Sequence, residues 1–252
     1  MDTQLRKETL ENHLKNEHRI SAVANYFKEV IYGGIDGIVT TFAVVAGFSG
    51  AALSNEATTQ LSFAVVLLFG LANLFADATS MGLGNFLSVR SEKDQYLSAR
   101  RKEEREVQIN SESEYMETVT IMIEKGFSEA DAHTLATIYR KNKEYWVDFM
   151  MAHELEMSDP RDENPVMTGL ATFGSFLVFG TIPLIPFIFM ESAAASTAFQ
   201  LSSVGTFIAL VLLGLLKWRI VGTDLFKSLF EVIVVGGVAA LIAFFVGTLF
   251  SV

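Results

Sequence analysis

Five apolar runs, each near or above the ~20 residues that carry a helix across a bilayer, constrain this 252-residue chain more than any other feature. They fall near Val30–Leu53, Thr59–Val89, Val166–Met190, Ala198–Leu216 and Leu229–Phe250. Hydrocarbon offers no partner to a free backbone N–H or C=O, so runs of this length are read as helices. The chain is nevertheless 19% charged, against 50% hydrophobic. That mixture predicts segregation into apolar spans and a soluble part. The soluble part is the charged, helix-periodic stretch between spans two and three. The expected fold is all-α: a five-helix transmembrane protein with a helical insert. Its segments are an N-terminal arm at 1–29, spans one and two at 30–91, the insert at 92–164 and spans three to five at 165–252.

Loop charges give an orientation. The loop Ser54–Thr58 and the loop Glu191–Thr197 contain no Lys or Arg. The N-terminal arm carries Arg6, Lys7, Lys15, Arg19 and Lys28, the insert is rich in both residues, and the fourth loop holds Lys217, Arg219 and Lys227. The positive-inside rule then places the N-terminus, the insert and the fourth loop in the cytosol and the C-terminus outside it. A net charge of −10 argues against nucleic acid as a partner. The absence of cysteine excludes disulfides and thiolate metal sites. The first twenty residues are mixed in charge and unlike a secretory signal.

Ionisable groups inside a bilayer are costly and point to function. Span one contains Asp36 just inside its cytosolic end, with Thr40 one turn further along the same face. Gly33-x-x-x-Gly37 flanks the acid with a spacing that lets helices approach closely. In span two, Asn73, Asp77, Ser80 and Met81 fall within about 100° of one another on a helix. Packing alone accounts for Met81 or for Asn73, but poorly for an acid, an amide and a thioether on one stripe. Pro183 and Pro186 are expected to kink span three.

The insert holds a second constellation. Lys93–Lys125 reads as one long helical pattern with a possible break at Asn110-Ser111, stopped at Gly126. On a continuous helix Glu103, Glu106, Glu114 and Glu117 share a sector of about 80°. From Glu106 to Glu124 there are five acids and no base. Ser128 to Asp131 resembles a capping box. The helical stretch after it, running to about Leu155, ends in Met150, Met151 and Glu154, which share a face. Carboxylates alone suit calcium or magnesium, whereas added thioethers favour first-row ions such as iron(II). The plain alternatives are a solvated acidic face and methionines packed between helices.

These residues resemble the vacuolar iron transporter (VIT/CCC) family over nearly the whole chain. The motifs that carry the resemblance are Tyr32-Gly-Gly-Ile-Asp-Gly-Ile-Val-Thr-Thr-Phe42, Ala76-Asp-Ala-Thr-Ser-Met-Gly-Leu-Gly-Asn-Phe-Leu-Ser88 with Glu92, and Trp146-Val-Asp-Phe-Met-Met-Ala-His-Glu154. The resemblance implies a homodimer of five-span subunits with a cytosolic metal-binding domain, and no prosthetic group. It implies export of iron(II), and often manganese(II) or another divalent transition metal, from the cytosol in exchange for protons. The family's metal-domain ligands fall on Glu103, Glu106, Glu114, Glu117, Met150, Met151 and Glu154. Its intramembrane aspartate falls on Asp36 and its methionine on Met81. A glutamate that the plant-type pattern places eight residues before that methionine is Asn73 here. Asp77, one turn closer to Met81, is the candidate substitute. The expected path is therefore Asp36, Thr40, Asn73, Asp77 and Met81.

The expected membrane is a prokaryotic plasma membrane, or a vacuolar membrane in a eukaryote. Two other classes compete with this reading. A membrane di-iron oxidase needs Glu-x-x-His pairs, and none of His13, His18, His133 and His153 has a Glu three residues before it. A membrane-anchored metal sensor or store without transport leaves the acids inside the spans unexplained. A non-enzymatic transporter is the reading that uses every feature.

Overall fold

The computed structural model describes residues 26–51, 59–190 and 195–249. Most of the N-terminal arm, the loop Ser54–Thr58, and the beginning of the loop after span three lie outside the described residues. Those described are helical without a strand among them: α1 Phe27–Ala51, α2 Thr59–Ile109, α3 Ser111–Glu124, α4 Glu129–Tyr139, α5 Lys143–His153, α6 Pro165–Thr181, a 3-10 turn Ile182–Leu184, α7 Ile185–Phe189, α8 Ala195–Val221 and α9 Leu225–Leu249. Five stretches are long and apolar enough to cross a membrane. They correspond to the five runs read from the sequence, and the chain is a multi-pass membrane protein. It falls into two compact units, 1–85 with 166–252, and 86–165.

In the first unit α1, α8 and α9 pack closely on one another. One apolar cluster joins Phe42, Val45 and Ala46 of α1 to Leu74 and Ala78 of α2, Phe176 of α6 and Leu184. Another joins Ile38 to Leu210 and Leu213 of α8 and Val232 of α9. Leu68, Phe69, Phe75 and Leu83 of α2 stay exposed in the single chain. Bilayer hydrocarbon, rather than protein, can supply their surroundings. The glycine pair of span one packs within the chain. A Cβ on Gly37 would lie 2.5 Å from the Phe176 carbonyl oxygen, and one on Gly33 would meet Ser175 Oγ and stand 2.7 Å from the Thr172 carbonyl oxygen. Because backbone cannot swing aside, Gly37→Ala is expected to destabilise the folded protein by about 1–3 kcal/mol. Gly70→Ala meets only the end of the Leu184 side chain, at 2.6 Å. A thermal melt in detergent should rank Gly37→Ala well below Gly70→Ala. Pro183 and Pro186 interrupt span three as expected. The helix tightens into the 3-10 turn before α7 continues, because a proline ring displaces the preceding turn and removes a donor.

The second unit is a helical bundle made of the last part of α2 with α3, α4 and α5. Its apolar centre is Tyr96, Val107, Trp146, Val147, Met150 and Met151, extended by Val119, Met122, Ala132 and Ala136. Arg100 of α2 pairs with Asp148 of α5 and, at 3.2 Å, with Glu104. Helix α3 ends in a Schellman motif: Gly126 has φ of 97°, Phe127 N donates to the Met122 carbonyl and Gly126 N to the Ile123 carbonyl. Ser128 caps α4, accepting from Asp131 N at 3.2 Å while its hydroxyl donates to the Asp131 carboxylate at 2.6 Å. That is half of a capping box, since the acid receives a hydroxyl proton rather than binding the cap's own N–H.

The break anticipated at Asn110-Ser111 is present, so the four glutamates do not lie on one continuous helix. One helical reading changes. The stretch toward Leu155 is two helices, because the side chain of Asn142 accepts from Tyr145 N at 3.3 Å and starts α5 anew.

Candidate functional site

Glu103 lies on α2, Glu114 on α3, and Glu154 at the C-terminal cap of α5. One carboxylate oxygen from each lies within 4.8 Å of the others. A continuous helix would hold Glu103 and Glu114 about 16 Å apart along its axis. The break at Asn110 lets α3 turn back, and the chain meets itself. Glu103 is only 2% exposed and Glu114 5%. Glu103 Oε1 and Glu114 Oε2 have no hydrogen-bond partner. Buried carboxylate oxygens without partners are costly unless protonated or bound to a cation.

The electrostatics agree with that geometry. Burial pushes the Glu103 carboxyl up to about 8, helped by the charge of Glu114 and by a hydrogen bond that protonated Glu103 donates to Glu114. Glu114 is raised by burial against the opposing effect of that same bond. Loss of water raises Glu154, reinforced by the charges of Glu114, Glu117 and Glu106. The ion-free trio therefore keeps a proton at neutral pH. A divalent cation would replace it and satisfy all three groups.

The remaining predicted ligands surround this trio unevenly. Met150 and Met151 are fully buried in the adjoining apolar centre. Glu106 and Glu117 are half-buried and outside the closest group. Glu106 pairs with Lys102 at 3.5 Å, and Glu117 accepts from Ser113 at 3.1 Å. Of the five acids without a local base, Glu112 finds Arg140 at 3.0 Å across the fold. Thr118 and Trp146 stand behind the predicted ligands, Thr118 outside every motif and Trp146 at the head of one. Both are fully buried, and Trp146 Nε1 donates to Thr118 Oγ1 at 2.8 Å. Their spacing was the available signal: Thr118 stands one turn after Glu114, and Trp146 one turn before Met150.

The membrane acids form a separate group in the first unit. Asn73 Nδ2 donates to Asp77 Oδ2 at 2.7 Å. Asp36 is half-buried and close enough to Asp77 for their charges to repel. The Thr40 hydroxyl donates to the Asp36 backbone carbonyl at 2.7 Å, so it does not hold the carboxylate. Met81 packs, partly buried, against the cluster around Leu74 and Phe176. Ser80 is exposed. Asn85, one turn beyond Met81 and unpredicted, donates to Thr172 Oγ1 of α6 at 2.7 Å.

The chain is similar to known proteins over most of its length. The chain is 40% identical over 252 residues to a vacuolar iron transporter of Toxoplasma gondii (strain ATCC 50861 / VEG), covering 97% of this chain and 80% of that protein. It is 31% identical over 238 residues to vacuolar iron transporter 1 of Arabidopsis thaliana, covering 94% and 90%. A relative of the same name in Oryza sativa subsp. japonica is 31% identical over 234 residues, covering 92% and 88%. The VIT family profile matches residues 27–248, from the first turn of α1 almost to the end of α9. With both units inside that match, this chain belongs to the VIT family.

Proposed function

We propose that the protein carries iron(II), and other divalent first-row ions such as manganese(II), out of the cytosol in exchange for protons. The observation that carries the reading is the meeting of Glu103, Glu114 and Glu154 within 4.8 Å beside buried thioethers, in a chain whose spans hold a second pair of acids. The names of the relatives support iron as cargo and a vacuolar-type membrane as location. The distribution of Lys and Arg supports a cytosolic insert and an extracytosolic C-terminus.

In this reading the insert captures the ion with Glu103, Glu114, Glu154, Met150 and Met151, and Glu106 and Glu117 add attracting charge. Asp36, Asp77 and Met81 receive it in the membrane, with Asn73 holding Asp77 in place and Thr40 securing the helix beside Asp36. Asn73 occupies one Asp77 oxygen and leaves the other for the ion. A homodimer would double every ligand about a two-fold axis, which an odd number of spans cannot supply internally. Protons and metal compete for the same carboxylates, and each unit of pH difference supplies about 1.4 kcal/mol per proton.

Flux into proteoliposomes tests this. Iron(II) uptake driven by an acid interior should be abolished by Asp36→Ala and strongly reduced by Asp77→Asn, with metal binding by the insert intact. Uptake that survives Asp36→Ala would remove the path. Absence of uptake by the unaltered protein, with metal still bound, would assign it to sensing or storage.

A further inference from the structure

Thr118 has one hydroxyl proton and two buried acceptors for it. Its Oγ1 stands 2.8 Å from the Glu114 carbonyl oxygen and 3.2 Å from Met150 Sδ. The same oxygen accepts from Trp146 Nε1 at 2.8 Å. Thr118, Trp146 and Met150 are each 0% exposed, so water cannot substitute for any of these bonds. The indole N–H occupies one lone pair of the hydroxyl and limits where its proton can point. What remains is a choice between the Met150 sulfur and the Glu114 carbonyl.

We infer that Thr118, held by Trp146, is the positioning residue that sets the insert's preference for soft over hard divalent ions by fixing the sulfur of Met150, one turn before Glu154. This rests on the reading of the insert as a capture site. Methionine has three rotatable side-chain bonds and no orientation of its own. In the ion-free protein the Thr118 O–H donates to the sulfur and holds it in one place. A thioether has two lone pairs, so the hydroxyl leaves one directed elsewhere. The hydrogen bond can therefore stay in place while an ion takes the other lone pair, and no buried donor is left unpaired. Thr118 binds no metal itself. It acts on thioether donation alone, which matters to cobalt(II) or iron(II) and hardly at all to magnesium.

The test is equilibrium binding of cobalt(II) and magnesium(II) to the full chain in detergent, read as the ratio of the two affinities. Thr118→Val keeps the shape and removes the hydroxyl, and the ratio is expected to fall about tenfold, the usual effect of an outer hydrogen-bond partner. Thr118→Ser should restore it. X-ray absorption at cobalt should show sulfur scattering in the unaltered protein and in Thr118→Ser, and weaker sulfur scattering in Thr118→Val. In a Met150→Leu background, Thr118→Val should change the ratio no further. If Thr118→Val does not fold, Trp146→Phe removes only the donor to the hydroxyl and should lower the ratio in the same direction. Equal loss of both ions, an unchanged ratio, or failure of Thr118→Ser to restore it overturns the inference. A preference for cobalt(II) that is undiminished in Thr118→Val defeats this inference alone, whereas no preference in the unaltered protein defeats the capture site itself.

Discussion

Raising the pH from 6 to 8 is expected to tighten cobalt(II) binding by the insert about fiftyfold. A group with a pKa of about 8 is almost wholly protonated at pH 6 and half protonated at pH 8, and a metal must displace that proton. The raised Glu114 and Glu154 carboxyls can only steepen this dependence. Calorimetry in buffers of differing ionisation enthalpy should therefore find close to one proton released per ion near pH 7. Glu103→Gln should remove both the release and most of the affinity. An affinity that stays flat between pH 6 and 8 would mean that Glu103 is already ionised in the folded protein. Under the proposed exchange for protons the slope has a direction: an alkaline cytosol would load the insert and an acid one would unload it.

The same proton makes the ion-free insert an acid-stabilised fold. Glu103 is raised from an unfolded value near 4.5 to about 8. Its contribution is complete below the lower value and is lost as pH rises through the upper one. Between pH 5 and 9 the ion-free insert should lose on the order of a few kcal/mol. Glu103→Gln is expected to abolish that loss, because the amide is neutral at every pH and can donate to Glu114 as the protonated acid does. Hydrogen exchange of the insert amides, with metal chelated, checks this. At pH 9 the variant should be the better protected protein although it binds metal worse. Equal protection of the two proteins at pH 9 would show that the Glu103 charge is relieved by something other than a proton. Sites of this kind commonly sacrifice stability for binding.

The spans were legible because the length and apolarity of a run are local properties. So was the end of α3, where Gly126 takes a positive φ. The start of α5 was not. It depends on an Asn142 cap inside Arg-Lys-Asn-Lys, a stretch without proline or glycine that also suits a helix. In the insert, the residue types and the helix faces pointed to Glu103, Glu114, Met150 and Glu154. The depth at which Glu103 is buried could not be seen there, since a glutamate among Arg and Lys reads as surface until α3 folds back over it. The four glutamates share one face only on a continuous helix, which the chain does not form. The turn at Asn110 brings two of them to the trio and leaves Glu106 and Glu117 beside it. In the membrane, the stripe of Asn73, Asp77 and Met81 was readable from helical spacing. Its continuation to Asn85 was not, because that residue's role is fixed by Thr172 on another helix.

The turn at Asn110 also decides what an ion does to the chain. An ion held by Glu103, Glu114 and Glu154 ties together three points of the backbone, the outermost 51 positions apart (154 − 103). It is then a reversible cross-link, with the same hold on chain freedom that a disulfide has, in a protein without cysteine. Such a clasp fastens and opens with metal supply rather than with redox state. Protease resistance of the insert should therefore rise and fall with the free metal around it.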